Sequence, residues 1–223
     1  MLRSVLLALA VIPTALDAQR LEPSVRAGLR APAGGQLVVP VALPATTGFL
    51  SVPSTFSERG GLYVSASARA ALTETVGVVG GLSVTTSERF AESPGVTACR
   101  SCPTRLLSGL LGVSVRRRIG SRFRVETGIG GEWIHLGGEA YNDPLTGPGI
   151  IGVEPTRRVV GGTNATVGAA VVLRRGGAVR VDAQLRRYSI TSRWTDPAVS
   201  SVNGRLVSTP YSDLLLSVGW SPR

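Results

Sequence analysis

The chain has 223 residues and a formal net charge of +10; all 24 basic residues are arginine, 43% of residues are hydrophobic and 28 are glycine. A chain this hydrophobic is not a disordered polymer, which combines low hydrophobicity with high net charge. Past the N-terminal segment, no run approaches the roughly 18–20 uncharged apolar residues of a spanning helix, which excludes a helical membrane protein.

Residues 1–18 read as an export signal, with Arg3 in a positive start, an apolar stretch over 4–12 and the small Ala18 at the expected cut. Pro13 weakens the competing reading, a buried N-terminal helix. The mature domain is then 19–223, in a compartment where disulfides form.

Period-two alternation bounded by turn residues marks eight strands in this domain: 24–31, 62–72, 76–86, 106–116, 123–133, 159–173, 178–186 and 213–220. In 123–133, Phe123, Val125, Thr127, Ile129, Gly131 and Trp133 share one face, while Arg124, Glu126, Gly128, Gly130 and Glu132 share the other. In 178–186, Val179, Val181, Ala183 and Leu185 oppose Arg180, Asp182, Gln184 and Arg186. In 213–220, Leu214, Leu216, Val218 and Trp220 oppose Asp213, Leu215, Ser217 and Gly219. Short connections at 73–75, 118–121 and 175–177 alternate with long ones at about 32–60, 88–104, 137–157 and 194–206. That layout belongs to outer-membrane barrels; Greek-key sandwiches do not sort their connections this way.

A soluble barrel turns its apolar face inward, and a membrane barrel inverts this. The polar face here carries Arg26, Arg30, Arg69, Arg124, Arg180 and Arg186 with Glu126, Glu132, Asp182 and Asp213, small residues filling between. Alternation does not distinguish a polar lumen from a solvated exterior, but three features favour lipid. Phe123 and Trp133 bracket one apolar face; at roughly 3.3 Å per residue and about 45° of tilt they lie about 23 Å apart along the membrane normal, close to the roughly 25 Å apolar band. The glycine-rich polar face suits a narrow lumen, and the last strand closes on Trp220. Phe123, Trp133 and Trp220 are the expected aromatic girdle.

The segment Tyr211-Ser-Asp-Leu-Leu-Leu-Ser-Val-Gly-Trp220 resembles the terminal signal of bacterial outer-membrane β-barrels. With the export signal and eight strands, the mature chain resembles the small OmpA/OmpX-type barrel proteins over nearly its whole length. The resemblance implies an all-β, eight-stranded antiparallel up-and-down transmembrane barrel in the outer membrane, with short periplasmic turns and longer extracellular loops. It also implies the barrel-assembly machinery as a partner during insertion and outer-membrane lipids as surroundings.

Basic charge concentrates at the short-turn end, in Arg116, Arg117, Arg118, Arg122, Arg174, Arg175 and Arg180. These are candidate contacts for anionic headgroups; the competing reading is a solvated arginine-rich surface. Nucleic acid, the usual partner of so basic a chain, is not expected, because the arginines divide between turns and lumen, the few aromatics are not interleaved with them, and the chain is exported.

Candidate chemistry is sparse. Cys99 and Cys102 suit a disulfide in a surface loop: one pair cannot close a zinc site, and Pro103 stands where haem attachment needs histidine. His135, the single histidine, has Glu139 close in sequence, but Gly137 stands where eight-stranded lipid A deacylases place a serine two residues after their catalytic histidine, so a nucleophile is lacking. No cofactor is expected. Eight strands leave an interior just wide enough for side chains, so the lumenal arginines and acids are expected to pair as a plug, Asp213 with Arg30 if the first and last strands close the ring. The apolar stretch 37–44 lies in a long connection and either extends a strand, packs over the barrel mouth or meets a partner; Pro40 and Pro44 argue against a central strand. The expected role is non-enzymatic, structural or in surface interaction with an unknown partner. Its rivals are an outer-membrane lipid-modifying enzyme using His135 and an exported soluble barrel holding a small apolar ligand in an apolar interior.

Overall fold

The computed structural model describes residues 21–34, 37–45, 48–91, 102–138, 145–147, 150–173, 176–195 and 205–222. The export signal and Cys99 lie outside them. The described residues form β1 (Leu21–Gly34), β2 (Leu37–Ala45), β3 (Gly48–Arg59), β4 (Gly61–Ala71), β5 (Val76–Ala91), β6 (Cys102–Ile119), β7 (Phe123–Gly137), β8 (Leu145–Gly147), β9 (Ile150–Pro155), β10 (Val159–Val172), β11 (Ala178–Thr195) and β12 (Arg205–Ser221). Eight of them, β1, β4, β5, β6, β7, β10, β11 and β12, pair antiparallel in that cyclic order, and β12 returns to β1.

The stagger of the ring can be followed residue by residue. One row runs Pro23, Ala68, Gly80, Leu111, Gly131, Thr163, Arg187, Ser212 and meets β1 again at Gly34, past a bulge between Pro32 and Gly34. A stagger of about ten residues over eight strands corresponds to a tilt of about 40° and lifts each successive strand by roughly 3 Å. The second and third short turns use backbone that only glycine adopts freely: Gly120, Gly176 and Gly177 have φ of 68°, 91° and 90°.

The faces are inverted relative to a soluble protein. Ile129, Val181 and Phe123 are 72%, 60% and 57% exposed on the outer wall, whereas Arg186, Arg30 and Asp182 are buried at 0%, 1% and 2%. Such a wall is unstable in water and matched to hydrocarbon, which removes the soluble-barrel alternative.

Two expectations are corrected and one open alternative is decided. The strands are longer than their alternating centres: β6 and β11 each run 18 residues, because ladder hydrogen bonds continue past the membrane band where the polar–apolar pattern lapses. Of the alternatives open for the apolar stretch, the strand is the one observed, over residues 37–45. β2 pairs with β3 along its length and meets β9 only at Val41 opposite Ile150, the near-edge place that a proline-bearing strand can take. β3 also pairs with the upper end of β5, and β9 with the upper end of β11. Two long connections thus continue the wall as sheet, and the ring still counts eight. Finally, the inward face is not polar throughout: Leu106, Ile134, Leu136, Tyr188, Ile190 and Tyr211 form a buried apolar cluster toward the loop end.

Candidate functional site

The charged side chains singled out in the sequence converge in the lumen, in two tiers. In the upper charged tier, Asp213 bridges the first strand and the last two. Its Oδ1 lies 2.9 Å from Arg30 Nη2, and its Oδ2 accepts from Arg186 Nη2 and Nε at 2.7 and 3.1 Å. Arg186 and Asp213 are direct cross-strand partners. Arg186 Nη1 reaches Glu132 Oε1 at 3.4 Å and donates to Ser108 Oγ at 3.1 Å, while Nη2 donates to Thr85 Oγ1 at 3.2 Å. Arg30 also donates to Ser87, whose hydroxyl pairs with that of Thr104, and to Tyr188 Oη at 3.3 Å. No ionic side chain of this tier is more than 2% exposed.

The lower tier is larger and richer in arginine. Arg180 Nη2 sits 2.6 Å from Asp182 Oδ1 and its Nη1 3.5 Å from Glu126 Oε2. Glu126 also faces Arg116 at 3.1 Å and Arg69 at 3.8 Å, Arg116 pairs with Glu22, and Arg26 lies 3.7 Å from Asp182. Arg69 donates to Ser114 Oγ at 3.0 Å, and Arg26 to Ser67 Oγ at 2.9 Å. A cavity of about 30 Å³ is lined by Arg26, Glu126, Asn164 and Arg180 among others, and one of about 240 Å³ lies at the turn-end mouth beside Glu22, Arg118 and Arg124. Above both tiers sits the apolar cluster, with the Tyr188 and Tyr211 rings stacked at 5.5 Å and the Arg186 guanidinium 5.7 Å from the Tyr188 ring.

Of the residues singled out in the sequence, Arg26, Arg30, Arg69, Glu126, Glu132, Arg180, Asp182, Arg186 and Asp213 come together in these tiers, while Arg124 is half-buried at the lower mouth. Glu22 and Arg116 were not read as lumenal. Parity carried that signal, since Glu22 continues the inward series Ser24 and Arg26, and Arg116 continues Ser108 and Ser114. Arg116 and Arg180, assigned to the turn-end charge, are therefore network members, which leaves Arg117, Arg118 and Arg122 exposed there. Arg174 and Arg175 lie outside the described residues. Phe123, Trp133 and Trp220 are all outward and at least half exposed. The Trp133 indole covers Gly109, where a Cβ would lie 2.3 Å from its Nε1, and Trp220 packs against Gly177 of the third short turn. His135 is exposed on the outer wall, opposite Leu107 on one side and Val159 on the other. Cys102 opens β6. Among the described residues no group of three or more His, Cys, Asp or Glu could hold a metal ion.

No family model and no curated protein matches the chain. Among solved structures, it is similar to the crystal structure of the outer membrane protein OprG from Pseudomonas aeruginosa, with a TM-score of 0.57 and 8% identity over 91% of this chain and 96% of that one. It is also similar to the solid-state NMR structure of the outer membrane protein AlkL in DMPC lipid bilayers, with a TM-score of 0.55 and 12% identity over 90% and 89% of the two chains. What is shared at these identities is the fold. Closed ring, inverted faces and these likenesses define the class: a small eight-stranded transmembrane β-barrel of the bacterial outer membrane.

Proposed function

We propose that the chain is a non-enzymatic barrel with a closed lumen, whose role is structural or lies in surface interaction through its extracellular connections. The observation that carries this reading is the layered filling of the interior, two ion-paired tiers beneath an apolar cluster. The 30 Å³ void between side chains has room for only a water or two. Opening a path would require separating buried ion pairs, each of which is costly to leave unpaired. The partners in this reading are the barrel-assembly machinery during insertion, outer-membrane lipids around the wall, and an unidentified surface partner met by the sheet extension that includes β2 and β3. Exposed Arg117, Arg118 and Arg122 face anionic headgroups at the periplasmic side.

Catalysis lacks support, because the outward neighbours of His135 across the sheet are the aliphatic Leu107 and Val159. Ion conductance in planar bilayers tests the proposal: the purified protein should give no large, stable open steps. Such steps would overturn the closed lumen.

A further inference from the structure

The outer wall changes character on one sector at the height of the upper girdle. On β10, β11 and β12, the outward positions Gly161, Thr163, Arg187, Ser189, Pro210 and Ser212 are small or polar and line an open groove of about 580 Å³. Register sets them side by side, with Arg187 between Thr163 and Ser212, and Ser189 opposite Pro210. Gly131 belongs to the same row two strands earlier. Because the stagger lifts each strand by roughly 3 Å, Arg187 stands at about the height of Trp133. At that height β4 and β6 present Leu62 and Leu107 outward, both at least half exposed. Below the groove the same three strands turn apolar, with Ala165, Leu185 and Leu214 one outward step down.

Arg187 is exposed, and among the described residues no carboxylate oxygen lies within 4.0 Å of it. A guanidinium on the wall is costly at the bilayer midplane and nearly free at the interface, so its position at the girdle is tolerable. Among the described residues it has no counter-ion. Hydroxyls of Thr163, Ser189 and Ser212 surround it, an assembly of donors that fits a phosphate.

We propose that this groove binds the phosphate-bearing headgroup of an anionic lipid in the outer leaflet. Arg187 holds the phosphate, Thr163, Ser189 and Ser212 add donors, and the acyl chains lie along Ala165, Leu185 and Leu214. The proposal rests on the transmembrane fold and is independent of whether the lumen is closed.

Native mass spectrometry of the full protein from micelles containing equal phosphatidylglycerol and phosphatidylcholine tests it. The unmodified chain should retain phosphatidylglycerol in preference, and Arg187→Gln should lower that preference about fivefold, the weight of one arginine near a charged headgroup. Arg193→Gln, which removes an exposed arginine higher on β11, should leave it unchanged. Heat-modifiable gel migration verifies the fold of each variant; if Arg187→Gln does not fold, Thr163→Val combined with Ser212→Ala should lower the preference instead. Equal retention of the two lipids, or a preference unaltered in these variants, would overturn the proposal. Displacement of the lipid by millimolar inorganic phosphate would also overturn it, by assigning the groove to the free ion.

Discussion

The two charged tiers of the lumen draw on the same residue types but are balanced differently. In the upper one, Arg30 and Arg186 meet Asp213 and Glu132, one anion for each cation, with every side chain essentially buried. In the lower one, among the described residues, Arg26, Arg69, Arg116 and Arg180 face Glu22, Glu126 and Asp182, three anions for four cations, and Glu22 reaches 26% exposure at the mouth. Water access accounts for the contrast. A surplus charge sealed between protein walls costs several kcal/mol, whereas one near a wet mouth is solvated and screened by salt. Charge balance in this lumen follows depth rather than composition.

Substitutions in the two tiers put that contrast to the test. The largest effect should come from Asp213→Ala, which strips a shared partner from Arg30 and Arg186. Urea unfolding followed by gel migration should register a loss of about 3–5 kcal/mol, and a loss below 1 kcal/mol would erase the distinction between tiers. Glu126→Ala removes a carboxylate shared by Arg69, Arg116 and Arg180, yet water from the mouth can take its place; about 1–3 kcal/mol is expected in the same assay. Glu22→Ala should cost less than about 1 kcal/mol. Raising the salt concentration should abolish the Glu22 effect and leave that of Asp213 largely intact, since screening acts where ions can enter.

Much of this organisation was legible in the order of residues. Alternation in 123–133 and 178–186 placed Ile129 and Val181 outward and Asp182 and Arg186 inward, because parity along a strand is local and admits only two faces. The apolar tier was not legible. Ile134 and Leu136 lie beyond the point where the alternating pattern of β7 lapses, and they share a face with Glu132, so the rule that apolar residues face lipid assigns them wrongly. Leu106 and Ile190 repeat this at the upper ends of β6 and β11. Arg116 is hidden for a related reason: where the alternating pattern stops at 116, its last arginine reads as a turn residue, although parity puts it beside Ser114.

Which residues of a strand share a face was thus decided by the chain alone, one strand at a time. Which charges meet depends on closure, and the sequence named only Arg30 with Asp213, on the condition that the first and last strands close the ring. Arg30 reaches Asp213 because the last strand docks on the first with a stagger of about ten residues, and Arg186 reaches Glu132 from β11 to β7 across β10. Facing is a property of a single strand's pleat, whereas partnership depends on the cumulative offset of eight, and no local stretch of sequence carries that offset.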